Sequence, residues 1–393
     1  MITLLQSPTP FSSAHSRLDY VVSSDKTAEP NFKYIFEVYI ANQKIGTFKQ
    51  YPEPGTGLAV FNAARVVRAY LNPYYFDGAA MALSSVPNEG THQITYQIKY
   101  GEEYGTPPTA YLNVLTGETQ ASYNYYPDLL HVADNAQLSA YAGGAMTNRP
   151  SRMSVLRNEV GYFPVFNPTG TSLGYTIKTF STAGTQLATH SYTIPYRFAQ
   201  MGYTPRCLNA AFGNQFIGES VAHYTIQIGA KTFRFDVEPL YKYNPNTLVF
   251  LNRLGGYETV HLRTKSTRSL NIERKHYGSS TRHTWRNGST GGSSVFQPGS
   301  AVVYLPNQRT HYIRQKERLH LTSDFLSDHE FKWLRELACS PVVYLHIDNG
   351  NTAYYIPLAI EATSFEFKTL AVHGVNHLDI QAEVLLDFNS QLS

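Results

Sequence analysis

The residues of this chain that could do metal or acid–base chemistry are its fourteen histidines and a few carboxylates. A metalloprotease-type zinc site needs two histidines one turn apart on a helix, with a glutamate between them. Pairs that lie near each other in sequence do not fit this pattern: His276 and His283, His311 and His320, His373 and His377. The last pair encloses Gly374, which indicates a turn. We therefore predict structural histidines, with no metal site and no cofactor.

Carboxylates give no clearer sign of catalysis. Glycosidases need two carboxylates facing each other across a cleft, and the candidates are Glu102, Glu103 and Asp236. Their spacing does not pair them. The sequence also has no Gly-x-Ser-x-Gly elbow, no phosphate-binding loop and no dinucleotide glycine fingerprint. We predict a protein without enzymatic activity.

A pair of glycines, Gly255 and Gly256, separates two hydrophobic runs in the middle of the chain, residues 248–251 and 257–262. Glycines that cradle a phosphate precede a helix, whereas a second strand pattern follows these two. The pair therefore predicts the structural turn of a β-hairpin.

Positive charge is concentrated after this hairpin, although the net charge of the whole chain is only +3. Such a segment could face passing DNA or an acidic neighbouring protein, because phosphate contacts depend mainly on positive charge. Alternatively, its charges could keep an exposed strand edge from aggregating. We favour a role in a protein interface or loop, since no aromatic platform for base stacking is evident. The candidate residues for an interface or channel lining are Arg263, Lys265, Arg268, Arg274, Lys275, Arg282 and Arg286.

The composition favours β-structure. Of 393 residues, 42% are hydrophobic and 16% charged, and Tyr (30) and Phe (21), both strand-favouring, are abundant. We predict a mainly β, multidomain protein built of β-sandwich modules, immunoglobulin-like or jelly-roll-like, with a few short helices. Cys207 and Cys339 lie too far apart in sequence to form a metal knuckle, and because nothing in the sequence supports a disulfide between them, we expect a reducing compartment. No apolar run approaches the roughly 20 residues of a membrane span, so we expect no membrane contact.

Turn-forming clusters divide the chain into three predicted domains. The first, 1–150, has alternating strands at 31–40 and 93–100 and helical patterns at 60–71 and 128–141. The second, 151–245, has strands at 172–180, 186–194, 221–228 and 231–237. The third, 246–393, has a basic mobile loop at 278–294, a helix at 328–338 capped by Ser327 or Asp328, and strands at 267–276, 301–305, 311–321, 342–347, 353–358, 364–368 and 377–386.

Several runs resemble virion proteins of tailed phages and prophages of Bacteroidetes, including crAss-like phages. They are NFKYIFEVY at 31–39, YPEP at 51–54, VFN at 60–62, FLNRLGGYE at 250–258, WLRELACSP at 333–341 and YIPL at 355–358. The resemblance implies a structural component of the tail, neck or baseplate, with β-sandwich domains assembled into a ring. It supplies no catalytic residues.

From this resemblance we expect a homo-oligomeric ring of six-fold or twelve-fold symmetry that contacts other tail or neck proteins, with DNA passing through transiently. The protein would be made in the host bacterial cytoplasm and reside in the virion. The alternative is a carbohydrate-binding or depolymerising phage protein that meets the host surface. In that case the tyrosine clusters at 74–75, at 123 with 125–126 and at 354–355 could form a sugar-binding platform, although we favour core packing and subunit contacts for them.

Overall fold

The computed structural model shows a mainly β protein with several separate sheets, as predicted. Three main hydrophobic cores define an N-terminal, a middle and a C-terminal unit. The structure describes residues 2–71, 85–87, 93–117, 119–122, 143–167, 172–196, 198–213, 215–239, 243–278, 283–286, 295–298, 308–348, 353–361, 377–385 and 388–391.

The N-terminal unit is a sandwich of two sheets, one ordered β1-β3-β6 and the other β2-β10-β8-β4-β5, with β9 paired to β8. Phe61 of the first sheet stacks on Phe36 of the second with ring centres 4.8 Å apart. Its elements are β1 (Thr3–Gln6), β2 (Phe11–Ser13), β3 (Asp19–Ser23), β4 (Lys33–Ile40), β5 (Gln43–Gln50), β6 (Ala59–Asn62), α1 (Ala64–Arg68), β8 (Gln93–Gly105), β9 (Pro108–Leu115) and β10 (Thr119–Ser122). Between α1 and β8 the chain forms β7 (Ser85–Pro87), which belongs to a sheet of the middle unit.

Local sequence rules explain how β4 and β5 are joined. Ala41 and Asn42 both have positive φ, 49° and 62°, which is the geometry of a two-residue turn that matches the twist of a hairpin. Strand β5 therefore begins at Gln43, directly after a turn of two residues. The helix predicted at 60–71 is only partly correct, because β6 occupies the start of this range and α1 covers only five of its residues.

The middle unit is a second sandwich, made of β11-β13-β16-β7 and β12-β18-β17-β14-β15. All four predicted strands are present. Gly144 and Ala145, which a boundary at residue 150 assigns to the first domain, pair with β13 in this unit. Its elements are β11 (Gly144–Ala145), β12 (Arg152–Leu156), β13 (Tyr162–Phe166), β14 (Leu173–Phe180), β15 (Gln186–Ile194), β16 (Phe198–Gly202), α2 (Pro205–Phe212), β17 (His223–Ile228) and β18 (Lys231–Glu238).

The C-terminal unit is one eight-stranded sheet, ordered β20-β19-β25-β26-β27-β24-β21 with β28 on β24, and helix α3 covers one face. Its elements are β19 (Asn246–Leu251), β20 (Tyr257–Leu262), β21 (Thr267–Gly278), β22 (His283–Arg286), β23 (Val295–Pro298), β24 (Gln308–Thr322), α3 (Asp328–Cys339), β25 (Val343–Asp348), β26 (Ala353–Ile360), β27 (Asp379–Val384) and β28 (Phe388–Gln391).

Helix α3 begins where the sequence predicts. Ser327 is its N-cap and forms a capping box with Glu330, and the helix ends at Cys339, two residues before Pro341. Its buried face carries Leu334 and Leu337, which pack into the core under the sheet.

The predicted mobile loop at 278–294 is partly wrong. Gly278 ends β21, and residues 283–286 form β22, a strand paired with β23. Trp285 and Phe296 stand opposite each other in this pairing, as strand-favouring aromatic residues often do. The rest of the loop, the predicted helix at 128–141 and the predicted strands at 301–305 and 364–368 lie outside the described residues.

Candidate interaction surface

The described structure contains a long ribbon made of β21 and β24, of which β21 is exposed along its whole length. Their antiparallel register runs from Thr267 opposite His320 to Gly278 opposite Gln308. Twelve residues of β21 at about 3.4 Å each give a ribbon about 40 Å long. All of them are exposed, and β21 is the last of the described strands in its sheet. The outer edge of β21 therefore presents backbone groups that another strand could bind.

One face of the ribbon carries exposed apolar side chains between charged ones, which are Arg268, Arg274 and Glu317. Opposed residues of an antiparallel pair lie on the same face, and Arg268 stands opposite Leu319, whose side chain is in the core. Leu270 and Ile272 continue that face at alternate positions, but they are 53% and 48% exposed. The core-facing side of the sheet thus extends beyond the core as a bare apolar strip.

The opposite face of the ribbon is cationic. It carries Lys275 together with Arg314, Lys316 and Arg318, the alternate positions of β24. Lys316 pairs with Glu383 at 2.7 Å and Arg318 with Glu361 at 2.9 Å, so neighbouring carboxylates neutralise part of this charge. The two faces make the ribbon amphipathic.

The predicted basic residues do not all belong to this surface. Arg268 is on the apolar face, where it pairs with Glu317 at 2.8 Å. Lys265 is exposed just before β21, and Arg274 and Lys275 are on β21 itself. Arg286 is the last residue of β22, and Arg282 lies outside the described residues.

Arg263 is not on the ribbon but in a buried ion pair that joins the middle and C-terminal units. Its Nε and Nη2 donate to the two carboxylate oxygens of Glu159, each at 2.8 Å, and its Nη1 donates to the hydroxyl of Ser154 at 2.7 Å. Arg263 is 8% exposed and Glu159 is 3% exposed. A lumen-facing role for Arg263 is therefore incompatible with its position.

The charges around this pair are arranged to keep Glu159 ionised. Burial opposes ionisation, but the hydrogen bonds and positive charge of Arg263, with a hydrogen bond from the backbone amide of Leu156, outweigh it and hold the pKa of Glu159 below its ordinary value. Burial lowers the pKa of His261 to about 4, so this histidine is neutral at physiological pH. The paired state is thus a guanidinium bound to a carboxylate beside a neutral ring.

A second buried network lies at the same junction. Arg149 donates to the carbonyl of Thr259 at 2.9 Å, and its guanidinium lies 4.2 Å from the ring centre of Tyr203. Glu258, which is fully buried, accepts a hydrogen bond from the indole of Trp333 at 2.7 Å. Burial raises the pKa of Glu258 above its ordinary value although Arg149 opposes this. These contacts tie helix α3 and β20 to the middle unit.

The predicted turn at Gly255 and Gly256 forms part of this junction. Asn252 accepts hydrogen bonds from the amides of Leu254 and Gly256, both at 3.0 Å, and Gly255 has a φ of +94°. A Cβ on Gly256 would lie 2.1 Å from the Cβ of Pro164 in β13. The turn is therefore a packing contact between units, and it leaves no room for a ligand at Gly256.

The structure separates the candidate catalytic carboxylates. Glu102 and Glu103 are in β8, where Glu102 accepts a hydrogen bond from Ser24 and Glu103 forms an ion pair with Lys49. Asp236 is in β18 of the middle unit and pairs with Arg152 at 2.6 Å. Among the described residues, no group of three or more His, Cys, Asp or Glu side chains could hold a metal ion. Of the helices described, none is long and apolar enough to cross a membrane.

Sequence reasoning missed Glu159, Arg149 and Glu258, the buried charges of the junction. One signal was available for Glu258, which stands between apolar and β-branched residues in a strand pattern where a carboxylate is costly. No protein-family model matches the chain, and no similar protein is found among curated proteins. Its function is therefore argued from its surfaces.

Proposed function

We propose that this protein is a non-enzymatic structural subunit of a phage particle, which assembles into an oligomeric ring or adaptor layer in the tail, neck or baseplate. The observation that carries this proposal is the ribbon of β21 and β24. A bare apolar strip on an exposed edge strand is unfavourable in a lone subunit and becomes favourable when another protein covers it. The sequence resemblance to virion proteins supplies the context.

The charges on β21 disfavour one two-fold pairing of the ribbon. If two copies of β21 paired antiparallel with Leu270 against Ile272, the same register would place Arg268 against Arg274 on both sides of the axis. Like charges directly opposite each other destabilise a strand pair. In the proposed ring, the ribbon binds a different surface of the next copy. Such a heterologous contact generates a ring when its rotation closes.

The cationic face of the ribbon would then point away from the subunit contact. It would meet an acidic neighbouring tail or neck protein, or DNA in transit through the ring, because either partner is attracted by Lys275 and Arg314. The protein would be made in the host cytoplasm and reside in the virion. The predicted six-fold or twelve-fold symmetry remains part of the proposal.

The test compares oligomeric state in matched variants. Leu270→Asp adds a charge to the apolar strip, and Leu187→Asp makes the same change at a leucine of similar exposure, 53% against 47%, on the edge strand β15. Light scattering and electron microscopy of the purified proteins should show rings for the wild type and Leu187→Asp, and monomers for Leu270→Asp. A monomeric wild type at high concentration would refute the proposal.

Two further assays separate the alternatives. Lys275→Glu should preserve the fold, since this residue is exposed, and should weaken genome delivery or attachment of the next protein layer if the cationic face has the proposed role. Charge reversal at Arg263 is not a suitable test of the ribbon, because it breaks a buried ion pair and would destabilise the fold. Specific binding on a glycan array, or release of product in a hydrolysis assay, would favour a protein that contacts the host surface.

A further inference from the structure

A cleft of about 610 Å³ lies beside helix α3, away from the ribbon's apolar strip. One wall is a face of α3, and the other is formed by Arg253 of the β19–β20 turn and by Asn148 of the middle unit. Its size is within the range of ligand-binding pockets. The lining residues are Asn148, Arg253, His329, Lys332, Trp333, Arg335, Glu336 and Cys339.

Positive charge converges on this cleft from two elements. Lys332 and Arg335 lie three residues apart on α3, His329 lies one turn before Lys332, and Arg253 approaches from the opposite wall. Like charges at this helical spacing repel one another. Within the described part of the chain, no carboxylate forms an ion pair with Lys332 or Arg335. An anionic ligand would relieve this repulsion.

The cleft's own carboxylate does not neutralise these cations. Glu336 accepts a hydrogen bond from Asn148 at 2.8 Å and lies 3.6 Å from the Nε of Arg253. Burial, together with the nearby Glu258, raises the pKa of Glu336 to about 7, so the group is partly protonated at physiological pH. In that state it carries only part of a full negative charge, so it neutralises the cations of the cleft only in part.

We propose that the cleft binds an acidic segment of a partner protein through carboxylate side chains. Two arginines, Arg253 and Arg335, have the planar fork that binds carboxylates with two hydrogen bonds, and Asn148 adds a neutral partner. Nucleic acid fits less well, since stacking requires an accessible aromatic ring and Trp333 is 2% exposed. This inference does not depend on ring formation.

A binding assay with matched variants tests the proposal. The probe is a fluorescein-labelled ten-residue peptide of alternating Asp and Glu, measured by anisotropy with the full-length protein. Lys332→Gln with Arg335→Gln removes two cleft cations, and Arg65→Gln with Arg68→Gln removes an equally spaced, exposed pair from α1. We expect the first double variant to weaken binding about tenfold or more, and the second to change it less than about twofold.

Cys339 gives an independent readout, because it is exposed and lines the cleft while Cys207 is buried. The bound peptide should slow alkylation of Cys339 by iodoacetamide, and should do so less in the Lys332→Gln, Arg335→Gln variant. Equal peptide affinity in both double variants would overturn the proposal. So would a single-stranded DNA oligonucleotide of equal charge that binds more tightly than the peptide and protects Cys339 better.

Discussion

Replacing Glu159 by glutamine should leave the buried guanidinium of Arg263 without its bidentate partner and with only the partly exposed carboxylate of Glu238, 3.8 Å from its Nη1. The pair is bidentate, with both contacts at 2.8 Å, and the Glu159 side chain is fully shielded from solvent. Breaking such a buried pair by removing one partner costs about 3–5 kcal/mol, because the remaining charge has lost both water and its counterion. We expect the free energy of unfolding of Glu159→Gln to fall by that amount at pH 7.

Urea denaturation followed by tryptophan fluorescence and circular dichroism measures this loss. The control is Arg152→Gln, which breaks the pair of Arg152 with Asp236 at 2.6 Å, where the arginine side chain is 69% exposed. An exposed pair contributes about 0–1 kcal/mol, so this variant should remain close to the wild type. The double variant Glu159→Gln, Arg263→Met should lose less than the sum of the single changes, because no buried charge is left over.

The pH dependence provides a second check. Because the pKa of Glu159 is lowered in the folded protein, its stabilising contribution is complete above the ordinary carboxyl value of 4.5 and is lost as the pH falls through the lowered value. The difference between wild type and Glu159→Gln should therefore shrink in acid. The argument fails if Glu159→Gln costs less than about 1 kcal/mol at pH 7, as expected for an exposed pair.

Three other predictions concern the junction and helix α3. Gly256→Ala places a methyl group 2.1 Å from Pro164 and should cost about 1–3 kcal/mol in urea denaturation, whereas Gly117→Ala, with open space around it, should change stability by less than about 0.5 kcal/mol. Because the pKa of Glu336 is raised to about 7, the folded protein holds a proton that the unfolded chain releases. The free energy of unfolding should therefore fall by up to about 3 kcal/mol as the pH rises from 4.5 to 7. Glu336→Gln should lose this pH dependence, and an unchanged pH dependence would contradict the assignment to Glu336. Ser327→Ala removes the N-cap of α3 and should cost about 1 kcal/mol, measured as a lower thermal midpoint.

Local patterns in the sequence determined most of the β-structure. Alternation of apolar and polar residues located β4, β8 and the paired strands of the middle unit, since side chains of a strand point to opposite faces in turn. The cap at Ser327 and the hairpin around Gly255 were also predictable, because each follows from one or two residues whose backbone preference is strong.

Longer-range features could not be read in this way. Helix α2 was missed because it is eight residues long and its buried residues, among them Cys207 and Leu208, are covered by the middle unit's own sheets. Similarly, β7 pairs with β16 more than a hundred residues later, a contact that neither strand's own pattern encodes. Both depend on which surfaces meet after folding.

The basic residues illustrate the difference between what local sequence patterns predict and what long-range contacts determine. The sequence by itself determined that the segment after the hairpin is basic and strand-forming. Only the tertiary structure decided that Arg263 pairs with Glu159, 104 residues away, while Arg274 on the next strand remains exposed. Identical side chains acquire different roles because burial by a distant unit, which no local pattern records, determines whether a charge needs a partner or remains in water.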